Sequence, residues 1–115
     1  MSEREGWLFL QDILESIEKI VQYVQGLTYE QFVQDDKTWD AVLRNLEIIG
    51  EAARRVPAAI QVQHPEVPWG QIVALRNRLI HGYFAVDEEI VWDIVTNELP
   101  TLRTQIERIL QAMER

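Results

Sequence analysis

The residues of this chain best equipped for chemistry stand together, in Arg76-Asn77-Arg78-Leu79-Ile80-His81-Gly82-Tyr83. A histidine gives or takes a proton near neutral pH, and an arginine holds a phosphate through two parallel hydrogen bonds. The two suffice for RNA cleavage in which the RNA's own 2′-hydroxyl attacks the adjacent phosphorus. Histidine would act as base or acid, and arginine would neutralise the transition-state phosphate. Such a reaction needs no metal, and the sequence has no carboxylate cluster of metal-site type. On an ideal helix Arg76 and His81 stand about 140° apart. A long arginine side chain, a loosened turn before Gly82 or a second copy of the chain would have to bring them together. The plainer alternative is a histidine at a helix C-terminus, favoured by the dipole, beside two surface arginines. Spacing alone leaves both readings open.

The elements that must position these residues are helices. Ile72, Leu75 and Leu79 point toward a core, while Gly70, Ala74, Asn77 and His81 follow one another on a neighbouring stripe. Two small residues and then two polar ones would let another helix approach closely and meet hydrogen-bonding groups at one end. This helix is expected from about Trp69 to near Gly82. A first helix is predicted from about Trp7 to Gln25, ended by Gly26, and Thr28 is placed to cap a short turn through Phe32. A second runs from about Lys37 to Val56, and Pro57 stops it or begins a further helical turn. The last starts at Asp87 as N-cap and carries Ile90, Val91, Ile94, Val95, Leu99, Leu102, Ile106, Ile109, Leu110 and Met113 at helical spacing. The expected fold is all-α: an up-and-down bundle of four main helices in one domain spanning 1–115, the last helix kinked or split at Pro100.

Composition narrows the function classes. With 47% hydrophobic and 26% charged residues the chain reads as globular rather than disordered. It lacks an apolar run of the ~20 residues a membrane span needs, a signal-peptide pattern, and any cysteine, all of which suits the cytoplasm. The net charge of −8 opposes general nucleic-acid binding. Between Arg44 and Arg78, however, five arginines face Glu47, Glu51 and Glu66, which is either a local RNA-binding surface or ordinary fluctuation of surface charge. His64, in a loop before Pro65, is expected to be exposed. Neither histidine follows a glutamate by three residues, as a di-iron bundle would require. The four tryptophans fit core or interface positions better than ligand stacking.

Arg76, four residues, His81, one residue and Tyr83 match the Arg-x4-His-x-Tyr signature of the HepT-like toxins of the HEPN superfamily. Asn45 to Ala53, Pro68-Trp69, Leu75 to Phe84, Ile90-Val91-Trp92 and Leu99-Pro100 also fall in family order, so most of the chain resembles this family. The resemblance implies a metal-independent endoribonuclease without a cofactor, the toxin of a type VII-like toxin–antitoxin pair. It implies a homodimer with two Arg/His sites facing each other across the interface. Arg76 and His81 would be catalytic, Asn77 would shape the site, and RNA would be the substrate. The implied partner is an MntA-type nucleotidyltransferase antitoxin that transfers AMP from ATP to Tyr83. The competing reading is a non-catalytic helical dimer that binds a nucleotidyltransferase or a nucleotide.

Overall fold

The structure, a computed structural model, describes residues 3–81 and 86–114; of the side chains in that span, those of Glu3, Arg76 and residues 78–81 lie outside the description. Helix α1 (Glu3–Val24) buries Leu10, Ile13, Ile17 and Ile20 completely. Gly26, at φ +78, then turns the chain through the left-handed region that other residues seldom adopt. The expected cap at Thr28 forms a reciprocal pair. Gln31 N–H donates to Thr28 Oγ1 at 3.1 Å and Thr28 N–H donates to Gln31 Oε1 at 2.9 Å, opening α2 (Tyr29–Gln34). Asp35 caps α3 (Asp36–Arg55) by accepting from Thr38 N–H.

Pro57 begins a further turn, α4 (Ala58–Gln63), one of the two outcomes its position allows. Gln61 Nε2 donates to the carbonyls of Ala53, which also accepts from Val56 N–H, and of Val56, and so fastens α4 to the end of α3. Gly6 lies where α1 meets this turn, and a Cβ built there would lie 3.2 Å from Pro57 Cδ and press on the end of Ile60. Helix α5 (Trp69–His81) follows the His64–Pro68 break.

Asp87 Oδ1 accepts from Glu89 and Ile90 N–H and caps α6 (Glu88–Asp93), as expected. The break associated with Pro100 lies upstream of it. Residues Ile94–Glu98 form a π-helical segment in which Leu99 N–H donates to the Ile94 carbonyl five residues back, and α7 (Leu99–Met113) then begins with Pro100 in its first turn. Proline has no N–H and its ring crowds the carbonyl four residues earlier, so the wider turn takes up the mismatch before the proline is reached.

Helix α1 packs against α3 and α7, and α3 packs against α5. The apolar stripes close one buried cluster, from Leu10 and Ile13 on α1 to Ile106 and Ile109 on α7, so the all-α bundle stands with its last helix split. Ile90 departs from expectation: it is 45% exposed, because Val91 and Ile94 take the inward positions of α6. Among the described residues no helix is long and apolar enough to cross a membrane.

Candidate functional site

Helix α5 is fixed at its start and along its inner face. Trp69 is buried and its Nε1 donates to the His64 carbonyl at 3.0 Å, while Ile72 and Leu75 are buried in the core. With the rotation of the helix set in this way, the described part of the neighbouring stripe, Gly70, Ala74 and Asn77, lies away from the core face. Gly70 and Asn77 are exposed, Ala74 is half-buried, and a Cβ at Gly70 would meet nothing within 4 Å. The helix continues through His81, which keeps Arg76 and His81 on its last turns, about 7.5 Å apart along the axis by helical rise. The side chains of Arg76, Leu79 and His81, and all of Gly82 and Tyr83, lie outside the described residues.

On the neighbouring α3, Glu51 binds two arginines of its own helix. Arg54 Nη2 donates to Glu51 Oε1 at 2.7 Å and Arg55 Nε to the same oxygen at 3.1 Å. Hydrogen bonds from Arg54, then from Arg55, hold the Glu51 carboxyl down at about 2, and its bond to Glu51 pushes the Arg54 guanidinium up. Arg44 lies 4.0 Å from Glu47. Three of the five arginines that gave this region its positive balance are thus partnered by glutamates, which shrinks the charge available to a phosphate.

On the other side, aromatic rings hold α6. Trp92 lies edge-on to Tyr29 at 6.1 Å and tilted against Phe32 at 5.2 Å, and Phe32 also meets Trp39 at 5.4 Å. Asp87, Glu88 and Glu89 sit beside Tyr29, whose hydroxyl is pushed up by burial first and then by these carboxylates. Tryptophans 39, 69 and 92 therefore serve packing, as their positions suggested.

Two polar features were not anticipated. Asn45 is buried on α3 and donates through Nδ2 to the Ala41 carbonyl at 2.8 Å; a polar residue on the stripe between Val42 and Ile49 was its visible signal. His64 is half-buried rather than exposed, with Nδ1 3.5 Å from Glu66, because the loop folds back so that Trp69 can reach its carbonyl. Among the described residues no group of three or more His, Asp or Glu side chains converges as metal ligands would.

The family model described as ribonuclease HepT-like matches residues 13–109. The chain belongs to the ribonuclease HepT-like family. A Methanocaldococcus jannaschii protein named as an RNase is 40% identical over 99% of this chain and 94% of its own length. A Thermococcus cleftensis protein named as a ribonuclease HepT is 41% identical over 88% of this chain and 92% of its own. A Caldanaerobacter subterraneus protein, also named as an RNase, is 40% identical over 90% and 92%. No solved structure matches the chain at a meaningful level. HepT-like membership therefore covers the stretch from α1 to α7, with α5 inside it.

Proposed function

We propose that the protein is a metal-independent endoribonuclease, the toxin of a pair whose other member is a nucleotidyltransferase. The observation that carries this is the family match over residues 13–109, which includes Arg76 and His81 on the closing turns of α5. In the proposed reaction an RNA 2′-oxygen bonds to the adjacent phosphorus as the bond to the 5′-oxygen breaks. This leaves a 2′,3′-cyclic phosphate and a free 5′-hydroxyl. His81 moves the proton, as base toward the 2′-hydroxyl or acid toward the leaving oxygen, and Arg76 balances the charge on phosphorus. Exposed Asn77, one position after Arg76, shapes the site by offering hydrogen bonds to the RNA. Two copies pair so that each contributes one Arg/His set, and adenylylation of Tyr83 silences the enzyme.

The test is cleavage of a labelled single-stranded RNA by the purified protein. Wild type should cut equally with and without EDTA, and Arg76→Ala and His81→Ala should each lose at least about 100-fold. Both variants should remain folded by circular dichroism. Full activity of His81→Ala, or loss of wild-type activity in EDTA, would overturn the mechanism. The charge of −8, together with the Glu51 partnering of Arg54 and Arg55, favours a second reading, a non-catalytic binding dimer. That reading predicts no cleavage by wild type at any concentration.

A further inference from the structure

Between α5, the π-helical segment and α7 lies an open groove of about 650 Å³, within the usual size range of ligand sites. Its floor is apolar and built from Ile72, Leu75, Ile94 and Leu102. Its rim is not. Glu66 and Glu98 stand on it, and every described residue around it is acidic or uncharged. Gln105 Nε2 donates to the Glu66 carbonyl at 3.0 Å, which ties α7 to the loop before α5 at the edge of the groove.

These features point to one kind of occupant. Apolar floor demands apolar anchors, and two carboxylates demand positive charge. RNA fails the second requirement because its phosphates would meet Glu66 and Glu98. A second copy of a chain carrying −8 meets it poorly. A helix with leucine-type anchors and a lysine or arginine edge meets both, by helix-in-groove recognition. The π-helical segment supplies the wall at Ile94 and Glu98, and such segments recur at functional sites. We infer that the groove between α5 and α7 is a docking site for a cationic amphipathic helix of a partner protein. Leu75, on its floor, directly precedes Arg76, so an occupied groove would place the partner against the helix that carries Arg76 and His81. The docking site stands apart from the proposed RNA cleavage, which does not require it.

The probe is a synthetic amphipathic helix of about 18 residues, five turns, with leucines on one face and arginines along its edge. Its control has glutamates in place of the arginines. Each is titrated into the 15N-labelled full-length protein. Amide shifts should centre on Gln71, Thr101 and Gln105 with the arginine peptide and be absent with the glutamate peptide. Reversing both rim charges (E66R with E98R) should weaken binding at least about tenfold, whereas reversing Glu88 and Glu89 on α6, which do not line the groove, should leave it unchanged. Both carboxylates are solvent-facing, and a retained amide spectrum confirms that the variants fold. Shifts centred outside the groove, equal binding of the two peptides, or indifference to the rim reversal would overturn the inference. So would groove shifts produced by single-stranded RNA, or by raising the protein concentration alone.

Discussion

Among the described residues, Glu51 is the one whose surroundings are most heavily biased toward one charge state. Bonds from Arg54 and Arg55 keep it ionised in the folded chain down to about pH 2, against an ordinary carboxyl value of 4.5. The native state thus holds its proton less tightly than the unfolded chain does. The stability contributed is complete above the ordinary value and is lost as pH falls through the window from 4.5 to about 2. Asp35 is lowered by the backbone bond from Thr38 and acts in the same sense. Asp12 is raised by burial and then by Glu15, so its protonation at falling pH opposes them. Glu51→Gln should therefore flatten the acid limb: its urea midpoint at about pH 3 should approach its midpoint at about pH 7 more closely than in wild type. An unchanged acid limb would mean that the arginine bonds are weak in solution. At the same scale lies Tyr83, the proposed target of adenylylation. An added phosphate would compete with RNA for the arginine proposed to bind it, at roughly 4 kcal/mol for contact at 4 Å and an effective dielectric of 20. Intact-mass measurement after co-expression with a nucleotidyltransferase partner should show the adenylyl increment on wild type and none on Tyr83→Phe; equal mass gain in both would misplace the switch.

At the scale of elements, helix ends were the most legible part of the sequence, because caps are local chemistry. Gly26, Thr28 and Asp87 each act where their type and position said they would. These ends can be tested singly. Gly26→Ala should lower stability by about 1 kcal/mol through strain at positive φ, and Thr28→Ala by a similar amount through loss of the reciprocal cap. Denaturant titration with an unchanged slope would register both, and a neutral Gly26→Ala would show that the turn relaxes. What sequence hid were features set by several residues together. Pro100 announces a missing donor, but the relief is spread over Ile94–Glu98, where nothing in the side chains marks a π turn. Ile90 keeps the apolar period and still faces water, since the choice between it and Val91 is made by how Trp92 of α6 docks on Tyr29 and Phe32. The stripe of α5 was legible because Ile72 and Leu75 dictate which face turns inward. Whether Arg76 and His81 converge was not, because a five-residue step leaves the answer to side-chain reach and to a second chain.

In the whole molecule, the meeting of Arg76 and His81 turns on that second chain. The bundle is a slab of 43 × 29 × 20 Å, two helices thick in its shortest direction. In such a slab every helix keeps an outer face, and on α5 that face is Gly70, Ala74 and Asn77, small or hydrogen-bonding and uncovered in the monomer. Helices approach most closely where side chains are small, so a two-fold pairing along this stripe would be isologous and would set the two Asn77 ends, with their neighbouring Arg76 and His81, near a shared cleft. The proposed homodimer therefore predicts a linked loss. Ala74→Arg puts a long charge into the contact while leaving the monomer intact, since Ala74 is only half-buried and lies off the Ile72/Leu75 face. In analytical ultracentrifugation at micromolar concentration wild type should sediment as a dimer and Ala74→Arg as a monomer, with RNA cleavage falling by at least about tenfold in the variant while its thermal midpoint stays close to that of wild type. Dimeric Ala74→Arg would move the interface elsewhere. A monomeric variant with full cleavage would show that one chain brings Arg76 to His81 unaided, by arginine reach along a helix that stays wound through residue 81.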